Sequence, residues 1–390
     1  MNVQPLIASP FQGSYVVLRP GLPGALKISN AQYQELKHDR DCPSWLVGAA
    51  AKAWNVDLNG KPLADHVLVR AETAYGFGHA TYELNLGCNY DCEHCYLGLK
   101  RFAGMEWDDR QRVLEVMRDA GVVSLQLTGG EPMIDRLFPD VYESAHELGM
   151  AIDILTNGSR LANRRILDLL TARPANLVTV SVYGASAESY DGLTRRPGSY
   201  KTFMKGLWAA YEAGVRLALA LIIVERNAHE ADDMKALAAR FGVPTKTYSH
   251  ITPTIYGGAE TLPSQSPEYL VPTTARKPFR GCDAGRTAFH VNPHGMASIC
   301  KVGREPNVPL LKEGVEGLTR LADIADGLLR RQGCCTGCGL HSSCGTCMPL
   351  VTLYRQAKSP LANYCQHKER SWTHGTRTGR TGDQAARRRG

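Results

Sequence analysis

The sequence predicts an α/β protein with a parallel sheet at its centre, a cysteine-rich segment after it and a small α+β region before it. Three observations carry this. Residues 81 to about 258 alternate strand-like and helix-like patterns five or six times, an order that right-handed crossovers turn into a helix-covered parallel sheet. Eleven of the twelve cysteines fall into two groups, 88–95 and 282–365, leaving Cys42 apart as a plain buried or surface thiol. Residues 259–367 lose the periodicity, and Pro, Gly and Cys dominate, as in a segment nucleated by metal rather than by an apolar core.

Taken in order, residues 1–75 contain strand-like "YVVLRP", "ALKIS" and "VLVR" and helix-like "SNAQYQELKHD" and "SWLVGAAAKAW". The central region, 80–258, opens with the alternating "TYELNL", which ends at Cys88. "DDRQRVLEVMRDAG" has apolar residues at helical spacing, with Asp108 as its expected cap and Gly121 as its stop. Strands "VVSLQLTGG", "MAIDILTNG", "NLVTVSVYG" and "VRLALALIIV" follow, separated by "FPDVYESAHELG", "NRRILDLLTAR" and "YKTFMKGLWAAYEAG". "AHEADDMKALAARFG" and "TKTYSHITPTI" close the pattern. Functional groups of such a sheet gather at the C-terminal strand ends, where Cys88, Gly129 to Glu131, Asn157 and Tyr183 are expected. In residues 259–367 only "VEGLTRLADIADGLLRR" looks helical.

Composition excludes some roles. The net charge is +7, but residues 368–390 hold seven Lys/Arg and two Asp/Glu, which is +5 of it. The body is therefore near neutral and offers no basic face for nucleic acid. The tail itself reads as disordered. No run of about 18 apolar residues suggests a membrane span, and the N-terminus lacks the pattern of a secretory signal. A cytoplasmic chain is expected, where cysteine clusters mean metal or catalysis more often than disulfides.

"LNLGCNYDCEHCYLGLK" places Cys88, Cys92 and Cys95 in one loop, spaced C-x3-C-x2-C. Short-spaced thiolates suit an iron–sulfur cluster, or a zinc ion completed by His94 or a distant residue. Three thiols leave one coordination position open. With His94 before the last cysteine, the motif resembles that of the radical S-adenosylmethionine enzymes. The resemblance implies a partial, open (β/α)6 barrel. It also implies a [4Fe-4S] cluster on Cys88, Cys92 and Cys95, with S-adenosylmethionine on the fourth iron and a 5′-deoxyadenosyl radical as the reactive species. It assigns Gly129, Gly130 and Glu131 of "TGGEP" to the methionine ammonium, Asn157 and Ser181 to ribose or carboxylate, and Arg195 or Arg196 to the carboxylate. His94 belongs to the same cofactor-binding set. Read alone, "TGGEP" is a glycine turn opening a helix, and "TRRPG" a solvated basic turn.

The second group, Cys282, Cys300, Cys335, Cys338, Cys344, Cys347 and Cys365, resembles the SPASM extension of these enzymes, which holds two auxiliary [4Fe-4S] clusters. By resemblance Cys282, Cys300 and Cys347 serve the nearer cluster, and Cys335, Cys338, Cys344 and Cys365 the farther one. The spacing departs from the family at Cys344-x2-Cys347, where three residues are usual. Cys334, or an open position, completes the nearer cluster. A zinc ribbon is the plainer alternative.

SPASM enzymes most often modify ribosomally made peptides, so the expected substrate is a precursor peptide and the expected electron donor a flavodoxin or ferredoxin. The alternatives are a dehydrogenase of a small natural-product intermediate and a zinc-stabilised scaffold. Residues 1–75 look like a small winged-helix peptide-recognition unit, which would add the peptide as a strand, or else a cap over the barrel mouth. Glu188, Asp191, Tyr183, Tyr248, His250 and Tyr256 are candidates near the substrate, with aromatic packing as the alternative for the last three.

Overall fold

The computed structural model describes residues 6–272 and 275–367; the basic tail expected at 368–390 lies outside them. The chain opens with an antiparallel meander of β1 (Leu6–Phe11), β2 (Ser14–Leu18) and β3 (Ala25–Ile28). Helix α1 (Asn30–His38) starts at a capping box between Ser29 and Gln32. Helix α2 (Ser44–Trp54) ends where Asn55 turns left-handed, at φ 52°. Helix α3 (Leu63–His66) leads into β4 (Val67–Val69), which lies parallel to β1, giving the order β3-β2-β1-β4. Leu6, Val17, Tyr33, Leu36, Leu46 and Leu58 bury a core of their own between this sheet and its helices. β1 was not expected as a strand; its Pro10, unfavourable inside a sheet, is tolerated next to the turn at Gln12 and Gly13.

The central sheet follows the expected alternation. Its six parallel strands are β5 (His79–Glu83), β6 (Ser124–Thr128), β7 (Ala151–Thr156), β8 (Leu177–Val182), β9 (Leu217–Ile222) and β10 (Thr245–Tyr248). They are joined by α4 (Trp107–Asp119), α5 (Phe138–Glu147), α6 (Arg164–Ala172), the pair α7 (Ala187–Thr194) and α8 (Ser199–Glu212), and α9 (Ala231–Phe241). α4 begins two residues earlier than its apolar pattern suggests: Glu106 is the cap position, and Asp108 and Asp109 sit in the first turn, where their charge suits the helix dipole. "LALALI" of β9 is apolar throughout because helices cover one face and the other looks into the barrel.

The cysteine-rich segment begins by extending this sheet. β11 (Ala288–Val291) pairs parallel with β5, and β12 (Met296–Ser298) and β13 (Val308–Pro309) add antiparallel strands. The nine-stranded order is β10-β9-β8-β7-β6-β5-β11-β12-β13, open at both ends. α10 (Leu310–Glu313) and the expected α11 (Leu321–Leu329) follow, then α12 (Met348–Gln356), which was not expected. α12 starts directly after Cys347 and buries Val351 and Tyr354. Among the described residues no helix is long and apolar enough to cross a membrane.

The N-terminal unit does not cover the barrel mouth. It packs under the N-terminal ends of the strands: Phe11 stacks edge-on against His79, and the buried Arg70 guanidinium donates to the carbonyls of Val122 at 2.5 Å and Arg118 at 3.0 Å. Those carbonyls close α4 and precede β6, so a cation there also meets the negative helix end.

Candidate active site

A cavity of about 300 Å³ opens at the opposite, C-terminal ends of the strands. Each strand contributes to its wall: the loop after β5 gives Cys88, Cys92, His94 and Cys95; β6 gives Thr128 to Gly130; β7 gives Thr156 and Asn157; β8 gives Thr179, Ser181 and Tyr183. Ala220 and Ile222 of β9, Tyr248 to Thr252 of and after β10, and Lys301 complete it.

The β5 and β6 loops interlock through the two glycines. The Gly130 amide donates to Asn85 O and the Glu131 amide to Gly87 O, both at 2.9 Å. A Cβ on Gly130 would fall 2.1 Å from Gly87 O, and one on Gly129 2.4 Å from Asn85 O. Gly129 also sits at φ 141°, which only glycine adopts freely. The turn is therefore held against the loop that carries the thiols.

Donors aim at the sulfurs. The Tyr90 amide lies 3.4 Å from Cys88 Sγ and Asn157 Nδ2 3.8 Å from it, while Asn157 Nδ2 also donates to Asn89 Oδ1 at 3.0 Å. Burial pushes the Cys88 thiol up to about 12 and the Cys92 thiol well above its ordinary value, so these ligands need a bound metal to become thiolates. Burial, with Lys100 nearby, lowers His94 to about 4. Its imidazole is neutral, packs 5.2 Å from the Tyr183 ring, and leaves buried Nδ1 without a partner among the described residues. Three thiols in one loop and a glycine cradle, both lining a cavity that the neutral His94 ring also lines, fit an iron–sulfur cluster carrying a small polar ligand.

Two expected contacts fall elsewhere. Glu131 does not face the cavity. It is fully buried beneath the turn, where its carboxylate accepts from the Met133 amide (3.0 Å), the Thr156 hydroxyl (2.8 Å) and the Asn157 amide (2.7 Å). It ties the β6 turn to the β7 turn, and burial raises its pKa to about 7 against those hydrogen bonds. Arg195 ends α7 in the left-handed region, at φ 51°, and points to the outer surface, 3.7 Å from Asp91 and 3.8 Å from Glu93. Arg196 is exposed. The cations inside the cavity are instead Lys100, which donates to Asp91 at 2.7 Å and to Cys92 O at 3.0 Å, and Lys301. Asn157, Ser181 and His94 do line the wall.

Of the substrate-side candidates, Tyr183, Tyr248 and His250 reach the cavity. His250 is braced from behind by Arg276 and the Tyr354 hydroxyl, and burial, then Arg276, holds it neutral with a pKa of about 4. Asp191 caps α8 through Gly198, Ser199 and Tyr200 instead, and Glu188 is exposed. Tyr256 joins a buried network: Arg304 grips Glu83 at 2.8 and 3.0 Å, Tyr256 donates to Glu83 at 3.0 Å, and His290 lies 3.5 Å away. This network links the end of β5 to the segment after β12.

The second cysteine group divides in two. Cys335, Cys338, Cys344 and Cys365 line one small enclosed cavity, with Arg331, Arg355 and His367 around them. Arg331 lies 3.8 Å from Cys344 Sγ and His367 Nε2 3.1 Å from Cys338 Sγ. Cys347 lies instead near Cys282 and Cys300, whose charges act on it, and the Gly303 amide donates to Cys300 Sγ at 3.2 Å. Cys334, offered above for the nearer trio, is on the wall of the other cavity, 2.8 Å from Arg355. The adjacent Cys335 points the same way, and the Gly333–Cys335 turn carries both to that side.

Comparison with known proteins agrees with this geometry. The sequence profile of the Radical SAM superfamily matches residues 82–238: the chain carries a radical S-adenosylmethionine domain. Its relatives include proteins named as a maturase and a peptide cyclase as well as AdoMet-dependent heme synthases. It is 26% identical over 307 residues to mycofactocin maturase MftC of Mycobacterium ulcerans, covering 69% of this chain and 82% of that protein. It is 23% identical over 243 residues to the antilisterial bacteriocin subtilosin biosynthesis protein AlbA of Bacillus subtilis, covering 57% of this chain. The chain spans about half the length of AlbA, 54%. Among solved structures, Streptococcus suis SuiB bound to precursor peptide SuiA superposes with a TM-score of 0.57 at 12% identity, over 94% of this chain and 98% of that one.

Proposed function

We propose that this chain is a cytoplasmic radical S-adenosylmethionine enzyme that oxidatively modifies a ribosomally made precursor peptide. The observation that carries the reading is the loop of Cys88, Cys92 and Cys95, which lines one cavity with the Gly129–Gly130 turn and the neutral His94 ring. The peptide is favoured because MftC is a maturase and another relative a peptide cyclase by name, AlbA is named for bacteriocin biosynthesis, and one solved neighbour was determined with its precursor peptide. When bound, the cluster would supply an electron, drawn from a flavodoxin or ferredoxin, to cleave S-adenosylmethionine to a 5′-deoxyadenosyl radical.

The chain's own residues do the rest. Cys88, Cys92 and Cys95 would hold three irons. The Gly129–Gly130 backbone would approach the methionine end, with Asn157 and Ser181 beside the ribose. Glu131 fixes the two turns relative to each other. Apolar Leu155, Ala220 and Ile222 keep water from the reacting centre. We further assign Cys335, Cys338, Cys344 and Cys365 to one auxiliary cluster and Cys282, Cys300 and Cys347 to a second with an open position. Residues 1–75 would form a peptide-recognition unit, 80–258 the catalytic core and 259–367 the auxiliary-cluster region.

Anaerobic reconstitution tests this: about twelve irons per chain and 5′-deoxyadenosine formed with a reductant are expected. Bound zinc and intact S-adenosylmethionine would refute it. Deleting residues 1–75 should abolish turnover of a full-length peptide while S-adenosylmethionine cleavage persists.

A further inference from the structure

We infer that Lys301 is a specificity-determining residue that anchors a carboxylate of the substrate. The inference rests on the peptide-modifying function proposed above and names what the peptide must carry. Among the described residues no Asp or Glu lines the active-site cavity. Its two histidines are braced or buried as neutral rings, and Lys100 is engaged by Asp91 and by Cys92 O. Lys301 differs. It follows Cys300, its side chain is solvent-accessible, and it lines this cavity. Its ammonium stands over the Tyr96 ring, 5.0 Å from the centroid. The buried Glu83 carboxylate is taken by Arg304. A cation over an aromatic face in a partly desolvated cavity, with no carboxylate at hydrogen-bond distance among the described residues, attracts an anion strongly.

Position adds a reason. Tyr96 follows Cys95, and Lys301 follows Cys300, so the Lys301 ammonium over the Tyr96 ring joins a neighbour of the three-thiol loop to a neighbour of the Cys282–Cys300–Cys347 trio. A carboxylate held there keeps the neighbouring carbon of the substrate between the proposed radical source and the proposed electron acceptor. The carboxylate can come from an Asp or Glu side chain or from a peptide C-terminus, and the test separates them.

The experiment is anaerobic calorimetric titration of the reconstituted, S-adenosylmethionine-loaded protein with two peptide pairs. One pair is Ac-Ala-Glu-Ala-NH2 against its Gln counterpart; the other is Ac-Ala-Ala-Ala-OH against its C-terminal amide. At least about tenfold tighter binding of the acid is expected in one pair, the scale of a charge-assisted hydrogen bond, and the responding pair identifies the source. Lys301→Met should remove the preference and Lys301→Arg should keep it, with iron content measured for both. Acid and amide binding alike in the wild type, or no detectable binding of either, overturns the inference. So does a preference that survives Lys301→Met at full iron content. Should the Met variant lose its clusters, Lys301→Gln is read in its place, and a preference that survives it at full iron content overturns the inference equally. Wild-type protein that cannot cleave S-adenosylmethionine overturns the proposed function instead.

Discussion

Glu83 and Arg304 bind the first barrel strand to the cysteine-rich segment, and a double-mutant cycle measures how much that bond holds. Burial raises the Glu83 pKa, but His290 and Arg304 outweigh it and bring it from 4.5 to about 2. Because the folded pKa is lowered, the stabilisation is complete above about pH 4.5 and disappears as pH falls through about 2. At about 1.4 kcal/mol per unit it amounts to roughly 3 kcal/mol at neutral pH. Mutation approaches the same quantity independently. Glu83→Gln strands a guanidinium whose side chain is only 13% exposed, and breaking a buried pair from one side costs about 3–5 kcal/mol. For cooperative unfolding of 390 residues, at about 2.1 cal/mol/K per residue, this lowers the melting temperature by roughly 4–6 °C. Glu83→Gln, Arg304→Met and the double variant are compared by anaerobic thermal unfolding at pH 7. The double variant should be no worse than either single one, giving a coupling above about 2 kcal/mol. Strictly additive losses, or single losses below about 1 kcal/mol, would refute the pairing.

Four further outcomes follow. Gly130→Ala forces a methyl into Gly87 O and should cost about 1–3 kcal/mol or more and weaken S-adenosylmethionine binding at least about tenfold, measured by equilibrium dialysis. Gly48→Ala, inside α2 with nothing within 4 Å of the added Cβ, should instead stabilise by about 0.5–1 kcal/mol. Cys88→Ala should lower reconstituted iron by about four per chain and abolish 5′-deoxyadenosine formation, with the Cys335 group's iron retained. Arg195→Ala should change stability by less than about 1 kcal/mol and leave S-adenosylmethionine affinity within about twofold, since its guanidinium faces Asp91 and Glu93 on the outside.

The alternation of patterns between 81 and 258 made the order of strands and helices legible, and with it the loops that meet at the cavity. What the pattern does not encode is the direction a side chain takes at the end of a strand. Glu131 turns inward because three donors of its own turn and the next converge on it; Arg195 turns outward because α7 ends in a left-handed residue. Lys301 was invisible for a different reason. It belongs to a segment read as irregular, and only the pairing of β11 with β5 brings it to the barrel. "TAFHVNPHGMASI" did hold a signal, apolar alternation on both sides of a Pro-Gly turn, which marks a hairpin. Cysteine spacing could not separate the two C-terminal groups, because the turn that carries Cys334 and Cys335 to one side and the start of α12 that carries Cys347 to the other are tertiary facts.

Arg70 fastens the N-terminal sheet beneath the barrel and the cavity opens above it, so the two are separated by the full depth of the strands. β6 and β7 are five and six residues long, a depth of roughly 17–20 Å. A chain held at one end covers that with no fewer than about six extended residues, and more to travel round the helices. On the proposed peptide-recognition role of residues 1–75, a peptide docked on the lower sheet would need a minimum spacer before its modified residue: shortening that spacer should silence the reaction while leaving the grip untouched.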